Sequence, residues 1–167
     1  MTFVNLALNP IHTMPKQSAG ILLFRYRAGF LQVLLVHPGG PFFKNKDKGA
    51  WSIPKGEFSE TEQAFDAAKR EFREETGFDL TGNFVELQPV VLKSGKKIVA
   101  WALQGDLDTT KIKSNFFEIQ WPPRSGTIQS FPEIDKAEWF ALETAKVKIN
   151  EGQLGLLEQL VLITDFK

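Results

Sequence analysis

Short apolar runs separated by turn residues fill the first third of the chain and predict β-strands. The runs 21–24 and 31–36 flank Arg27-Ala28-Gly29, whose residues are typical of a tight turn, and together they predict a hairpin. Both runs are apolar at successive positions, as expected for strands buried on both faces. A loop is predicted at 37–49, where proline, glycine and lysine replace the apolar pattern, and a short strand is predicted at 51–53.

The apolar spacing changes from that of a strand to that of a helix after residue 58. Ser59 and Glu62 have the spacing of a capping box, which predicts that a helix begins near Glu60. Gly77 is the expected glycine at the end of this helix. The helix presents an apolar face that consists of Phe65, Ala68 and Phe72.

The second half of the chain returns to strands and ends in helices. Strands are predicted at 84–92 and 98–103, joined by the turn 94–96, and at 116–121, where two prolines follow. A helical segment is predicted at 144–149. A second helix has an apolar face made of Leu154, Leu157, Leu160 and Val161. This order predicts an α/β fold with a mixed β-sheet between helices.

A single domain is expected from the length of 167 residues. Residues 1–17 have no clear period and contain two prolines. We therefore expect a peripheral N-terminal segment at 1–17, followed by one domain at 18–167. Met14 stands just before the first strand and is a second candidate for the start of the protein.

Three carboxylates stand close together near the end of the long helix. Glu71, Glu74 and Glu75 occupy positions i, i+3 and i+4, which places their side chains on one face of an α-helix. Like charges at this spacing repel each other. A solvated acidic face is one interpretation. The other is a site for a divalent cation with oxygen ligands, which would offset the repulsion.

The stretch around these glutamates resembles the Nudix box. Residues 56–78 match the pattern G-x5-E-x7-R-E-U-x-E-E-x-G-U, in which U is a bulky apolar residue, at every specified position. The segments 51–55 and 132–140 also resemble the strand before the box and a later acidic and aromatic segment of that family. The resemblance implies the α/β/α Nudix sandwich. The fixed positions are Gly56, Glu62, Arg70, Glu71, Glu74, Glu75 and Gly77.

The resemblance also implies an activity. Nudix proteins hydrolyse a phosphoanhydride bond in nucleoside diphosphates linked to another moiety, so a Nudix pyrophosphohydrolase with a nucleotide substrate is expected. Mg²⁺ is the implied cofactor, with Mn²⁺ as an alternative, because a divalent cation screens and orients the phosphates. Glu71 and Glu75 resemble the main metal ligands of the family, and Glu74 a further one. The backbone carbonyl of Lys55 is expected to supply another oxygen ligand.

Arg70 has two interpretations. Its guanidinium either holds the glutamates in place or forms an ordinary ion pair with Asp66, four residues earlier. We favour the first. Glu62 is expected to pair with Arg70 or to lie near the metal, and Gly56 to allow a tight backbone turn before the helix.

The general base is left open by the sequence. Within the family it is either a glutamate of the box or an acidic residue outside it. Glu133 occupies the place of such an outer acid, Glu118 is its competitor, and each is otherwise a surface carboxylate. The residues that we count as catalytic candidates are Glu133, Glu71, Glu74 and Arg70.

The residues before the box bear on the substrate. Pro54-Lys55-Gly56 departs from the Pro-Gly-Gly of the family's nucleoside triphosphate hydrolases and is similar to the hydrolases of diadenosine polyphosphates. Lys55, Lys44 and Arg124 are candidates for binding phosphate, and each is otherwise a solvated cation. The loop 121–126 is a candidate for closing over a ligand. Aromatic residues that either stack on a base or fill the core are Phe42, Phe43, Phe116 and Phe117.

Composition narrows the partners and the location. The chain has 20 lysines and arginines against 20 aspartates and glutamates, so no overall charge attracts nucleic acid or an anionic membrane. It contains no cysteine, which excludes thiolate metal ligands. No apolar run is long enough for a membrane span, and the N-terminus has no signal-peptide pattern. A cytoplasmic location is therefore expected.

Two other functions stay open from the sequence. A Nudix fold without turnover would be a nucleotide-binding regulatory module, although the complete set of glutamates argues against it. Removal of the RNA 5′-end group is the other, and the balanced charge of the chain gives it no support. The favoured substrate is a dinucleoside polyphosphate such as diadenosine tetraphosphate, followed by nucleoside triphosphates.

Overall fold

A computed structural model describes residues 14–165 of the chain. Its strands are β1 (Gln17–Arg27), β2 (Phe30–Pro38), β3 (Lys55–Glu57), β4 (Val85–Glu86), β5 (Val90–Val91), β6 (Lys97–Gln104), β7 (Phe116–Gln120), β8 (Ile128–Pro132) and β9 (Ile134–Ala141). Its helices are α1 (Ala64–Thr76), α2 (Leu142–Lys148) and α3 (Leu154–Asp165), with 3-10 turns at Thr109–Lys111 and Glu151–Gln153. Residues 1–13 of the predicted peripheral segment lie outside the described residues.

Most of the strands form one mixed sheet. Its main path is β4-β6-β1-β2-β9, with β3 paired to β1 and β5 paired to β6. β1 runs parallel to β6 and antiparallel to β2 and β3. β7 and β8 form a separate antiparallel hairpin. The predicted mixed sheet is therefore confirmed.

The side chains of β1 supply two cores, one on each face of the sheet. Ile21 and Leu23 pack in the core that contains Phe72 of α1. Leu22 and Phe24 belong to the opposite core, because successive side chains of a strand alternate between faces. Helices therefore cover both faces, and the predicted α/β/α sandwich is confirmed. The residues that α3 contributes to the second core are Leu156, Leu157 and Leu160.

The helices among the described residues can be compared with the length and hydropathy that a membrane span requires. None of those within residues 14–165 has the length and apolar character needed to cross a membrane.

The first residues of β1 pair with β3 rather than with β2. Residues 18–20 lie opposite 55–57, whereas β2 joins β1 only from Phe24 onward. The strand predicted at 51–53 is wrong in its position, since this segment makes two isolated bridges and the regular strand lies at 55–57. Pro54 separates the two, because proline has no N–H to continue a ladder of hydrogen bonds. The result pairs Lys55 and Gly56 with the first residues of β1.

α1 begins at Ala64, later than the capping box predicts. Gln63 is the N-cap residue, and its side chain makes no capping hydrogen bond. The Ser59 hydroxyl lies against a threonine hydroxyl, and the Glu62 carboxylate accepts hydrogen bonds from Arg70. The capping-box prediction is therefore wrong, because both of its side chains are engaged elsewhere.

The end of α1 and its apolar face follow the prediction. Gly77 has a φ of 81° and donates its N–H to the carbonyl of Arg73, as expected for a glycine that ends a helix. Ala68 and Phe72 are fully buried. Phe65 lies at the edge of the core, where its ring packs against two other aromatic rings.

The strand predicted at 84–92 is divided in two. β4 and β5 each contain two residues and are separated by Leu87, Gln88 and Pro89. At Gln88 the backbone N–H and carbonyl bond to the side chain of Gln159 in α3 instead of to a strand. A side chain that satisfies both backbone groups removes the need for strand pairing there. The strands predicted at 98–103 and 116–121 and both C-terminal helices are present.

The sequence pattern predicts neither β8 nor β9. β9 is an edge strand that pairs only with β2. One side of an edge strand meets solvent, so charged side chains interrupt its apolar pattern. These residues are Asp135, Lys136 and Glu138, all of which are exposed.

Gln153 connects the C-terminal helices to the segment before β3. Its side chain is 2% exposed. Its Oε1 accepts the N–H of Ile53 at 3.1 Å, and its Nε2 donates to Ser52 Oγ at 3.0 Å. Ile53 is fully buried, so the hydrogen bond of its N–H depends on this side chain.

We expect Gln153→Ala to destabilise the fold. Leaving the buried N–H of Ile53 without a partner costs about 1–3 kcal/mol, which lowers the Tm by roughly 3–10 °C in a domain of this size. Thermal unfolding followed by circular dichroism measures the shift. Gln104→Ala, at an exposed position at the end of β6, is the matched control. Equal Tm values for the two variants would contradict the role of Gln153.

Candidate active site

Glu71 lies against β3 so closely that the facing residue has to be glycine. The Glu71 side chain is buried, with 8% of the residue exposed. A Cβ atom on Gly56 would lie 2.1 Å from the Glu71 carboxylate. Gly56 is therefore required for close approach of the backbone to a carboxylate. Burial raises the pKa of Glu71.

Glu75 is the second carboxylate held against β3. Its Oε2 accepts the backbone N–H of Lys55 at 3.2 Å. Burial raises the pKa of Glu75 well above its usual value, against the opposing charge of Lys55. The Lys55 peptide therefore lies directly beside the carboxylates of α1.

Arg70 links three glutamates. Its Nε and Nη2 donate to the two carboxylate oxygens of Glu62 at 2.7 and 3.0 Å. Its Nη1 donates to Glu71 at 2.7 Å and to Glu74 at 3.1 Å. These bonds raise the pKa of Arg70. The alternative pair with Asp66 is not formed, since Asp66 pairs with Lys69 at 3.5 Å.

Glu133 joins the same group of carboxylates from a distant part of the chain. It lies between β8 and β9, where its N–H donates to the carbonyl of Asn115 and its carbonyl accepts the N–H of Gly39. The N–H of Asn115 in turn donates to the carbonyl of Glu74. Burial and the charge of Glu74 raise the pKa of Glu133. Its charge also acts on Glu71 and Glu75, so these four residues form one electrostatic group, the carboxylate cluster.

Glu118 does not join the carboxylate cluster. It lies in β7 with an exposed side chain, and its charge is not among those that shift the pKa of Glu71, Glu75 or Glu133. Of the two acidic residues considered outside the box, only Glu133 therefore lies with the glutamates of α1.

The family comparison decides what kind of domain carries this cluster. The NUDIX domain family matches residues 14–160, a range that includes the whole mixed sheet, α1 and Glu133. The chain belongs to the Nudix family. The family and the enzyme class predicted from residues 56–78, a Nudix pyrophosphohydrolase, are confirmed.

Solved structures share the Nudix fold with this chain at low sequence identity. An Ap4A hydrolase from C. elegans in a binary complex is 20% identical over 90% of this chain and 99% of that chain, with a TM-score of 0.61. The NUDIX domain of Shewanella oneidensis NrtR, complexed with ADP ribose, is 19% identical over 90% and 89%, with a TM-score of 0.62. Among curated proteins no significant match is found. At these identities the likeness concerns the fold.

The donors of the Nudix carboxylate cluster suit a divalent cation. Carboxylate and carbonyl oxygens are the ligands that Mg²⁺ prefers, and four clustered carboxylates are opposed mainly by Arg70 and Lys55. Arg70 engages both Glu71 and Glu74. Within residues 14–165, no three acidic or histidine side chains converge closely enough to coordinate one ion. The cluster therefore suits a cation by the type of its donors, while in this arrangement Arg70 engages two of the carboxylates.

The other phosphate-binding candidates lie outside the cluster. Lys44 is exposed in the loop after β2. Arg124 is exposed at the tip of the β7–β8 hairpin, with a φ of 62°. Among the described residues, neither side chain forms a hydrogen bond or an ion pair. Of the three candidates, the structure places only Lys55 at the carboxylates.

The aromatic candidates divide into exposed and packed rings. Phe42 is 61% exposed and meets the ring of Trp121 edge to face at 5.3 Å, so the loop after β2 contacts the segment 121–126. Phe116 is 66% exposed. Phe117 packs against Gly40 and Phe131. Phe43 is partly buried beneath the ammonium of Lys46.

His37 holds the start of the loop after β2. It is 2% exposed, with Nδ1 at 2.7 Å from Asp135 and Nε2 at 2.7 Å from the carbonyl of Lys46. Its ring also packs on Trp51. Both nitrogens are engaged within the fold, so His37 has a structural role beside the Nudix site.

Sequence reasoning missed the charged residues at the far side of Lys55. Glu57 pairs with Lys96 at 2.9 Å and with Lys16 at 3.7 Å. Lys96 belongs to the turn before β6, and only the pairing of β1 with β3 and β6 brings these three residues together. The alternation of Lys55 and Glu57 in a strand was the one local signal that both side chains share a face.

We expect Arg70→Lys to reduce turnover without unfolding the domain. A lysine ammonium keeps the charge but cannot reproduce the fork that contacts three carboxylates. The loss of residues that position ligands typically costs about 10- to 100-fold in activity or metal affinity. Steady-state kinetics and magnesium titration measure the loss. Arg73→Lys, exposed on the same helix and paired with Asp79, is the control, and an equal effect of both variants would contradict the proposed positioning.

Proposed function

We propose that this Nudix protein is a magnesium-dependent hydrolase of a phosphoanhydride bond in nucleoside diphosphates linked to another group. A dinucleoside polyphosphate is the favoured substrate, and nucleoside triphosphates come next. The observation that carries the proposal is the partly buried carboxylate cluster of Glu71, Glu74, Glu75 and Glu133. Arg70 holds two of its members, and the Lys55 peptide holds Glu75. A cytoplasmic location stays a prediction.

The proposed metal site uses residues from α1 and β3. Glu71, Glu75 and Glu74 would hold the cation, with the backbone carbonyl of Lys55 as a further oxygen ligand. When bound, Mg²⁺ screens the phosphate charges and acidifies water for attack. Mn²⁺ offers the same oxygen chemistry. Burial raises the pKa values of Glu71 and Glu75, and neighbouring glutamate charges raise them further. A bound cation would offset both effects, which supports this site.

The remaining residues divide the other tasks. Arg70 fixes the direction of the Glu71 and Glu74 carboxylates. Glu133, with a pKa raised by burial and by Glu74, is the proposed general base that accepts a proton from the attacking water. The Lys55 ammonium meets a phosphate of the substrate.

The substrate choice is supported by Lys55 and by the related structures. Lys55 in Pro54-Lys55-Gly56 lies at the carboxylate cluster, where its ammonium is under the influence of Glu75 and Glu71. A C. elegans protein with the same fold is an Ap4A hydrolase, and the Shewanella NrtR domain was solved with ADP ribose. Ap4A and ADP ribose are both adenosine compounds with linked phosphates. A nucleotide with several phosphates is therefore the best candidate.

A panel of nucleotides with magnesium tests the function. We expect the fastest turnover with a dinucleoside tetraphosphate, products identified by chromatography, and no turnover after chelation of the metal. Glu75→Gln should lower kcat by roughly 10²–10⁴, the scale of a disrupted catalytic metal site, whereas Glu158→Gln on the exposed side of α3 should not. Binding of nucleotides without any turnover would instead show a regulatory module.

A pair of variants tests the general base. We expect Glu133→Gln to lower kcat by about 10²–10⁴, since an amide cannot accept the proton of the attacking water. Glu118→Gln should leave kcat unchanged, because Glu118 is exposed and outside the carboxylate cluster. The acidic limb of the pH dependence of kcat should lose only the contribution of Glu133 in Glu133→Gln, because Glu71 and Glu75 also have raised pKa values. Near wild-type kcat in Glu133→Gln, or a larger loss in Glu118→Gln, would assign the base elsewhere.

A further inference from the structure

Both ring nitrogens of His37 face groups that accept hydrogen bonds. Nε2 lies 2.7 Å from the backbone carbonyl of Lys46, and Nδ1 lies 2.7 Å from the carboxylate of Asp135. A carbonyl and an ionised carboxylate can only accept. A neutral imidazole has a single N–H, so one of the two acceptors would face a lone pair of the ring. An imidazolium has two N–H groups and donates to both partners.

The surroundings of His37 suit a positive charge. The residue is 2% exposed, and a buried charge requires a partner of opposite sign. Asp135 is that partner, with a side chain that is 32% exposed. The charge of His37 also acts on a second carboxylate, Asp47, in the loop after β2. The neighbouring cations, Lys46 in this loop and Lys136 in β9, are both exposed.

His37 joins the loop after β2 to a bulge at the start of β9. The two strands change register after His37, so that Asp135 has no partner residue in β2. The side chain of this extra residue contacts Nδ1 of the ring. Nε2 contacts the far end of the loop, at Lys46. One ring therefore fixes the bulge and the loop relative to each other.

Glu133 lies at this junction and is held through its backbone. Its N–H donates to the carbonyl of Asn115 at 2.8 Å, and its carbonyl accepts the N–H of Gly39 at 2.9 Å. A Cβ atom on Gly39 would collide with the carbonyl of Pro132, so the loop packs tightly against this segment. Among residues 14–165, no group donates a hydrogen bond to the Glu133 carboxylate. The direction of the carboxylate therefore follows from the backbone that the loop holds.

We propose that His37 is doubly protonated and is a positioning residue for Glu133. Its two N–H groups hold the bulge and the loop, and the Gly39 contact then keeps the Glu133 carboxylate beside the glutamates of α1. The proposal rests on the proposed function, in which Glu133 is the general base, and adds how that base is held. A base accepts a proton only within hydrogen-bond reach of the attacking water, so its displacement lowers kcat rather than substrate binding.

Nitrogen-15 NMR of the whole protein tests the charge of the ring. We expect both ring nitrogens of His37 to be protonated at neutral pH. The chain has two histidines, so the signals that persist in His12→Gln belong to His37. A ring with only one protonated nitrogen at neutral pH overturns the imidazolium.

A double-mutant cycle tests the positioning. His37→Gln and Asp135→Asn should each lower kcat by about 10- to 100-fold with little change in KM, the scale of a reacting group displaced by about 1 Å. In the Glu133→Gln background neither should lower kcat further, because no base is left to position. Asp47→Asn, in the same loop and bonded to Trp51, is the matched control and should leave kcat unchanged. An equal loss in both backgrounds would show a purely structural role and overturn the positioning.

Amide hydrogen exchange separates this inference from the proposed function. If the wild type hydrolyses no nucleotide, the proposed function fails. The exchange rate of the Gly39 amide then tests whether His37 holds the Glu133 segment, since this N–H bonds to the Glu133 carbonyl. Faster exchange in His37→Gln than in Asp47→Asn supports the positioning, and equal exchange overturns it.

Discussion

The contact of Arg70 with the buried carboxylate of Glu71 is the interaction on which the site depends. Taking Glu71 and Glu75 out of water favours their protonated forms. Arg70 opposes this at Glu71 while it also holds Glu62 and Glu74, and Lys55 opposes it at Glu75. The same contacts explain why α1 starts late, since Glu62 serves the guanidinium instead of a helix cap. Local helix propensity thus gives way to the electrostatics of the site.

The separation of β2 from the first residues of β1 creates the place where β3 meets α1. Because β3 replaces β2 beside the first residues of β1, the backbone at Lys55 and Gly56 lies beneath α1. The Gly56 position tolerates no Cβ next to Glu71, and the Lys55 N–H reaches Glu75. The backbone of this short strand therefore positions two carboxylates. The side chains of Lys55 and Glu57 both leave the strand on one face.

The sequence predicts those parts of the fold that depend on local spacing. Each of these signals spans only a few residues. They are the apolar runs of β1 and β2, the glycine that ends α1 at Gly77, and the glutamates at i, i+3 and i+4. Glu133 is different, since its place beside Glu74 depends on Asn115 and Gly39, which are distant in the chain. Lys96 is hidden for the same reason, because only strand pairing brings this turn residue to Glu57. The edge strand β9 escapes prediction because exposed charges interrupt its pattern.

Lys55 differs from the other phosphate-binding candidates in how the fold holds it. Its backbone N–H donates to Glu75, whereas Lys44 and Arg124 are exposed in loops. Burial lowers the pKa of Lys55, the charge of Lys96 lowers it further, and the charges of Glu75 and Glu71 oppose that change. A three-residue strand therefore places both a peptide group and a positive charge next to the carboxylate cluster. The peptide is fixed by pairing with β1, so the position of this charge follows from the strand topology rather than from the local sequence.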